Sequence, residues 1–202
     1  MLKIENTLTT DFAPALRGMR NPLNSWAKAN PEADIKLAKK LISAGTEHRK
    51  FLRMIHVTAD VTAPLFWWKE YDTYKVGTTA NSCSTMHTLT DRPFTAGDFS
   101  FEDWLPEEAE EEVKRLNTRL DAYLSTPYST PREKQRVWRV LISALPSGFM
   151  QKRTVDLNYE TLLTIHRQRK GHKLTEWHTF CQWVEGLPGM KDFLEAAEGE
   201  EV

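Results

Sequence analysis

The sequence has little of three features that mark common protein classes: cysteine, an excess of one charge, and long apolar runs. Its two cysteines, Cys83 and Cys181, lie far apart and form neither a disulfide framework nor a zinc-binding pattern, which favours a reducing compartment. With 27 Lys and Arg against 28 Asp and Glu, the formal net charge is -1, which argues against a dedicated binder of nucleic-acid polymers. Apolar stretches such as 63–68 are far shorter than the ~20 residues of a membrane span. We therefore expect neither a membrane nor a nucleic-acid polymer as a partner.

Several short functional motifs are also missing. The sequence contains no Gly-rich phosphate loop, no His-Glu-x-x-His and no Cys-x-x-Cys. His166, His172 and His178 follow one another at intervals that do not place their side chains on one helical face, so we predict no metal site. Residues 1–6 have no apolar signal core, and we expect a cytoplasmic location.

The first half of the chain changes its hydrophobic period. With 40% apolar residues in 202, we expect one domain, 1–202. Asn30 can cap a helix that stops near Gly45. Apolar and polar residues then alternate over 55–61, which predicts a half-buried strand. Pro64 suits the first turn of an aromatic helix that reaches about Tyr74. The Gly-, Thr-, Ser- and Asn-rich stretch 77–85 is typical of a loop.

The second half is predicted to be mainly helical. Pro106 opens a long helix, and its acidic run 107–112 is typical of a solvated face near the positive end of the helix dipole. Thr130 and Glu133 have the spacing of a capping box for a helix that ends before Pro146. The remaining predictions are an irregular segment at 91–104, a strand at 153–157, and helices at 158–170 and 175–186. We predict an α+β fold, with a small antiparallel or mixed sheet flanked by helices.

Two clusters could carry chemistry. A basic cluster surrounds Arg169 near a predicted helix end. These cations either complement the helix dipole or form an anion site, in which an Arg fork grips phosphate or carboxylate. Cys83 lies among hydroxyl and amide residues at 81–85. Those groups suit ligand hydrogen bonds and turn capping equally well. No obligatory base stands beside the thiol, although His87 is near, so an inert thiol is favoured over a nucleophile.

Two blocks of the sequence resemble the flavin-dependent thymidylate synthases. In the first block, residues 56–66 match the strand and the Ala-Pro helix entry of that family. Residues 73–86 then fall, without a gap, on its signature R-H-R-x-x-S-x-N-E-x-S-x-R-Y. In the second block, Leu145-Pro146, the strand end at Asn158, Arg169 and Trp177 match the family's Leu-Pro, flavin-contacting Asn, nucleotide-binding Arg and following Trp.

The resemblance implies roles for individual residues. Arg169 matches the Arg that grips the nucleotide and is implied to be both catalytic and substrate-binding. The other substrate-binding residues implied are Glu70, Ser82, Cys83, Ser84 and Thr85. The implied flavin-contacting residues are His48, Tyr74, Lys75, Thr78, Asn81 and Asn158.

The signature departs from the family at several positions. Thr73 and Tyr74 stand where the family has its first Arg and its His, and Asn81 stands in place of its Glu. Other family Arg positions are occupied by Thr85, Ile142 and Glu160. Each charge-assisted hydrogen bond contributes about 1.5–3 kcal/mol, so we expect weaker phosphate binding. Three cations could compensate: Lys152, Arg153 and Arg167.

The function implied by the resemblance is transfer of a methyl or other one-carbon group to C5 of a deoxyuridine nucleotide such as dUMP. FAD would be the cofactor, folate and NADPH the co-substrates, and the protein a homo-oligomer such as a tetramer. The eroded signature supports a second hypothesis, an inactive homologue that binds a nucleotide or other ligand or has a regulatory or structural role. A third is a modified-pyrimidine enzyme in which Cys83 acts covalently.

Overall fold

The alternating segment predicted at 55–61 forms a central strand. This strand, β2 (His56–Pro64), buries Val57, Ala59 and Val61, and the side chains between them are half-buried. Successive side chains of a strand point to opposite faces, so one face of β2 lies against the core. The prediction of a half-buried strand is confirmed.

The computed structural model describes residues 2–199. Within them, the other strands are β1 (Lys3–Thr10), β3 (Thr78–Ser82) and β4 (Met150–Asn158). The helices are α1 (Phe12–Gly18), α2 (Pro31–Ser43), α3 (Leu65–Tyr71), α4 (Thr85–Thr88), α5 (Pro106–Ser125), α6 (Pro131–Ser143), α7 (Tyr159–Arg169), α8 (Thr175–Glu185) and α9 (Met190–Glu198). Helices and sheet together confirm the α+β class.

The four strands form one antiparallel sheet in the order β1-β2-β4-β3. β4 contains the strand predicted at 153–157, and it buries Val155 and Leu157 beside the buried face of β2. The two central strands are therefore the two that hydrophobic alternation predicts.

The two edge strands were not predicted. The stretch 77–85 was expected to be a loop, but residues 78–82 form β3 beside β4. Most of β3 is exposed, and as an edge strand it pairs with a neighbour on one side only. It therefore lacks the alternating apolar residues by which a strand is predicted from sequence. Its threonines also favour extended backbone. β1 has no buried residue either, which explains why no pattern indicated it.

Two compact units divide the described chain. The sheet unit comprises residues 2–61, 72–81 and 153–199, and the helical unit comprises residues 62–71 and 82–152. The expectation of one domain stays a prediction.

An aromatic cluster forms part of the core of the sheet unit. Phe193 of α9 contacts the rings of Phe12, Phe51 and Tyr159, at centroid distances of 6.0–6.2 Å. Burial raises the pKa of Tyr159 to about 12, and its neutral hydroxyl donates to the carbonyl of Pro188 at 2.9 Å. α9 packs against α2 and lies beyond the last predicted helix.

The helical unit is built on α5 and α6, which pack as a hairpin across the connection at 126–130. Its core contains Leu116 and Leu120 of α5, Leu141 of α6, and three residues of the segment predicted to be irregular or near it, Leu89, Phe94 and Phe99. Aromatic residues of α3 are also buried, and this helix ends at Tyr71 rather than at Tyr74.

The predicted helix caps are present. Asn30 Oδ1 accepts the amide of Ala33 at 2.8 Å, and Thr130 Oγ1 accepts the amide of Glu133 at 3.2 Å. The carboxylate of Glu133 accepts from the amide of Ser129 instead of that of Thr130. Among the described helices, none combines the length and the hydropathy that crossing a membrane requires.

Candidate functional site

The candidate site of the sheet unit begins where β4 runs into α7. Asn158 is the last residue of β4 and the N-cap of α7, and its Oδ1 accepts the amide of Thr161 at 2.9 Å. An N-cap side chain satisfies one of the unpaired amides at the start of a helix. Asn158 therefore has a structural role here, in addition to the flavin contact that the resemblance implies.

The turn before β3 is fastened to this helix start. The amide of Asn158 donates to the carbonyl of Gly77 at 3.1 Å, and Thr161 Oγ1 donates to the carbonyl of Val76 at 2.8 Å. Gly77 has a φ of 68°, and a Cβ there would lie 2.3 Å from Asn158 Nδ2. Only glycine fits this contact, so the backbone at 76–77 is held directly against α7.

This fastening places Tyr74 beside the last turn of α7. Thr78 Oγ1 donates to the carbonyl of Tyr74 at 2.8 Å, which closes the turn. The hydroxyl of Tyr74 donates to Gln168 Oε1 at 3.0 Å and accepts from Arg169 Nε at 2.9 Å. Tyr74 and Arg169, 95 residues apart in sequence, are therefore neighbours.

Arg169 contacts two aromatic rings. Its guanidinium carbon is 4.8 Å from the ring centroid of Trp177 on α8 and 5.6 Å from that of Tyr74. The two rings meet edge to face, with centroids 6.2 Å apart. Stacking on aromatic faces holds a guanidinium in one orientation and leaves its positive charge intact. We name Tyr74, Arg169 and Trp177 the arginine cage.

A partly buried ion pair lies near the start of α7. Arg49 donates through Nε and Nη2 to the carboxylate of Glu160 at 3.0–3.1 Å, with side-chain exposures of 7% and 21%. Glu160 occupies a position where the resembling family has an Arg, and here it accepts from a cation instead. Sequence reasoning missed Arg49, because an isolated Arg carries no pattern that shows its partner.

The other predicted flavin-contacting residues are more exposed. His48 is half-exposed beside the carboxylate of Glu47, at 3.7 Å. Lys75 is exposed on the turn, and Asn81 is exposed on edge strand β3. These three side chains present a cation, an imidazole and an amide to solvent.

The remaining predicted substrate-binding residues lie in the helical unit. Cys83 is exposed, and its Sγ is 3.7 Å from Thr88 Oγ1. The Cys83 backbone is anchored by Lys152 and Gln151, since its amide donates to the carbonyl of Lys152 and its carbonyl accepts from Gln151 Nε2, both at 2.9 Å. A hydroxyl does not activate a thiol as a base would, so this geometry lends no support to a covalent role for Cys83.

The segment after Cys83 turns into a short helix. The carbonyl of Ser84 accepts from both the amide and the hydroxyl of Thr88, and α4 begins at Thr85. Cys83 and Thr88 line a cavity of about 490 Å³ together with Arg92 and Lys152. Ser82 precedes this cavity on the edge strand, and Glu70 is half-buried on α3.

The structure therefore gathers part of the predicted set. Tyr74, Thr78, Asn158 and Arg169 come together in the sheet unit through direct hydrogen bonds and the fastened turn. The implied nucleotide-binding groups from Glu70 and Ser82 to Thr85 belong to the helical unit. Trp177 was matched to the family from the sequence, but its contact with the guanidinium of Arg169 became visible only in the structure.

Solved structures share this architecture. Thymidylate Synthase X (ThyX) from Helicobacter pylori, crystallised with FAD and dUMP, matches with a TM-score of 0.75 and 13% identity over 97% of this chain and 99% of that chain. A second ThyX structure from that organism, complexed with FAD and dUMP, matches with a TM-score of 0.73 and 13% identity over 95% and 97% of the two chains.

The chain has the ThyX fold. A UMP/dUMP methylase, PolB from Streptomyces cacaoi bound with 5-Br dUMP, shares it with a TM-score of 0.60 and 13% identity over 97% of this chain and 95% of that one. No protein-family model matches the chain, and no curated protein matches it in sequence. The ThyX fold is thus carried here by a highly divergent sequence.

Proposed function

We propose that the protein binds a deoxyuridine nucleotide, dUMP or a close relative, and that Arg169 grips its anionic group. The observation that carries the proposal is the arginine cage, in which two rings and a hydrogen bond orient the guanidinium. The similar solved structures support the choice of ligand, because they contain dUMP or 5-Br dUMP.

The physical advantage of the cage is preorganisation. A flexible Arg loses side-chain entropy when it binds an anion, and an Arg already held by Tyr74 and Trp177 loses less. A planar fork also gives a phosphate two parallel hydrogen bonds, which an ammonium cannot do. Lys75, exposed on the turn that carries Tyr74, adds a second cation.

The finer part of the proposal is one-carbon transfer to C5 of that nucleotide, with Arg169 as the catalytic residue that polarises the pyrimidine. Bound FAD would supply the hydride chemistry, and folate and NADPH would be co-substrates. The proposal also includes assembly as a homo-oligomer.

The residues present fit a flavin in part. The exposed cation of Lys75, the imidazole of His48 and the amide of Asn81 fit the phosphates and polar edges of FAD. Tyr74 and Asn158 would contact it while keeping the internal hydrogen bonds that build the site. In this scheme the protein's own task is to hold and orient the two ligands.

The first experiment measures dUMP affinity by titration calorimetry on the full chain. We expect Arg169→Lys, which keeps the charge but loses the fork and the stacking, to weaken dUMP at least tenfold, which corresponds to about 1.4 kcal/mol. The control is Arg53→Lys, an exposed position in the same unit, which we expect to bind as the wild type does. Equal dUMP affinity in both variants would show that Arg169 does not bind dUMP.

The second experiment tests the flavin and the reaction. We expect the purified protein, after incubation with FAD, to retain visible flavin absorption. With folate and NADPH, it should release tritium from dUMP labelled at C5. A colourless protein that added FAD does not stabilise would refute the flavin part, and nucleotide binding would still be decided by the calorimetry.

A second candidate function is ligand binding without turnover. The Arg49–Glu160 ion pair favours it, because a carboxylate paired with its own Arg stands where the resembling family has a cation. Binding of dUMP with neither flavin absorption nor tritium release would select this function over catalysis.

A further inference from the structure

One face of α6 carries three arginines in a row. Arg132, Arg136 and Arg139 follow one another at intervals of four and three residues, which places their side chains on one face of the helix. All three are exposed, and they line a shallow groove of about 700 Å³ that continues to Ser143. Along the helix axis the first two are about 6 Å apart and the next two about 4.5 Å. We name these three residues the arginine stripe.

The arginine stripe has no counter-charge of its own. Within residues 2–199, no hydrogen bond or ion pair engages its three guanidinium groups. The acidic side chain that also lines the groove, Glu133, accepts from the amide of Ser129 at 3.0 Å at the start of the helix. On the neighbouring helix α5, by contrast, Arg115 is paired with Glu112. Three cations of α6 therefore remain available for an anion from outside the chain.

The stripe works against the helix that carries it. Arg132 lies in the first turn of α6, where the positive end of the helix dipole disfavours a cation. Like charges at intervals of four and three residues also repel each other twice along the stripe. Leu141 is the buried residue of this described helix, so little packing offsets the repulsion. Features that lower the stability of their own element are typical of functional sites, and a bound anion removes this repulsion.

We propose that the arginine stripe binds a short chain of carboxylates, the oligo-γ-glutamyl tail of a small molecule. A planar guanidinium donates two parallel hydrogen bonds to a carboxylate, so three arginines can hold three successive carboxylates. In a γ-linked chain, two further carbon–carbon bonds lengthen the 3.8 Å across a trans amide, which gives about 6 Å between the carbons that bear the carboxylates. Rotation about the methylene torsions shortens this repeat, so it fits both intervals of the stripe.

The chemistry of the stripe favours a short chain over a long polyanion. Nucleic acids also present anions at regular intervals, but the stripe extends over only about 10 Å of helix axis. The net charge of the whole chain is -1, so a long polyanion gains little from the surface beyond the groove. Folates carry an oligo-γ-glutamyl tail, and this identity of the chain rests on the folate co-substrate of the proposed function.

The test measures binding of γ-linked oligoglutamates of increasing length to the full chain by titration calorimetry at low salt. Neither dUMP nor flavin is present, so the result is independent of the experiments that test the proposed function. We expect the affinity to rise about threefold or more with each residue up to the third, because each new carboxylate meets another arginine. Further residues should add little, since the stripe then has no arginine left to offer.

A matched pair of variants assigns the binding to the stripe. The first variant carries Arg132→Gln, Arg136→Gln and Arg139→Gln. The control removes the same charge from exposed positions of the sheet unit, with Arg17→Gln, Lys28→Gln and Arg53→Gln. Circular dichroism verifies that both are folded. We expect the first variant to bind the γ-linked triglutamate about tenfold or more weakly, and the control to bind it nearly as the wild type does.

Three results would overturn the proposal. One is a wild type that does not bind the γ-linked triglutamate. Another is equal affinity of the wild type and the folded stripe variant. The third is tighter binding of an α-linked triglutamate or of a labelled oligonucleotide, lost in the stripe variant, which would assign the stripe to an acidic protein segment or to nucleic acid instead.

Discussion

Replacing Gly77 with alanine tests how the turn and α7 are joined. The new Cβ would lie 2.3 Å from Asn158 Nδ2 and 2.6 Å from Thr161 Oγ1, at a backbone φ of 68°. Both neighbouring side chains are held by hydrogen bonds at the start of α7. They cannot move aside unless those bonds break, so the substitution affects the cap and the turn together.

The expected loss follows from three contributions. The left-handed backbone costs a residue with a Cβ roughly 1–2 kcal/mol. Loss of the Asn158 cap costs about 1 kcal/mol, and loss of the hydrogen bond between Thr161 and the carbonyl of Val76 costs about 1 kcal/mol. We therefore expect Gly77→Ala to lower the free energy of unfolding by about 3–4 kcal/mol.

The assay is urea unfolding followed by circular dichroism. With the usual slope of unfolding free energy against urea, about 1–3 kcal/mol per M, this loss lowers the urea midpoint by roughly 1–4 M. The matched control is Gly171→Ala, since a Cβ at Gly171 meets no atom within 4 Å, and its midpoint should change little. If Gly77→Ala unfolds within about 0.5 kcal/mol of that control, the contact with Asn158 does not constrain the turn and the reasoning is wrong.

Two further predictions concern the thiols and the acid stability of the helical unit. Cys83 is exposed and Cys181 is buried, and burial raises the pKa of the Cys181 thiol to about 11. A thiol reagent at pH 8 should therefore react with one cysteine in the native protein and with two in denaturant. Rapid reaction of both cysteines in the native state would contradict the burial of the Cys181 thiol in α8. Hydrogen bonds from Arg92 lower the pKa of Asp98, so their pair stabilises the protein above the unfolded-state pKa of Asp98 and stops doing so as pH falls through the lower folded-state value. Arg92→Ala should thus cost about 0.5–1 kcal/mol at pH 7, discounted because Arg92 is 60% exposed. In pH-dependent unfolding, the difference from wild type should shrink as the pH falls through the lowered folded-state pKa of Asp98. A difference that stays constant with pH would show that packing is responsible.

The sequence by itself determined the local elements of the centre. Alternation at 55–61 and 153–157 specified the two central strands, because one face of each is buried and the period of a strand is two. Asn30, Thr130 and Asn158 marked helix starts, since a cap acts within three residues of itself. The resemblance to flavin-dependent thymidylate synthases also pointed to the fold that the solved structures share.

Only the tertiary structure decided which distant residues meet. The edge strand β3 escaped prediction because pairing with β4, rather than burial, stabilises it. Arg169 was a candidate from the sequence, but its orientation depends on Tyr74 and on the turn fastened at Gly77, far away in the chain. Such contacts leave no local pattern in the sequence. A hydrogen bond or ion pair can join two residues at any distance along the chain, whereas a helix or strand requires a regular repeat of neighbouring residues.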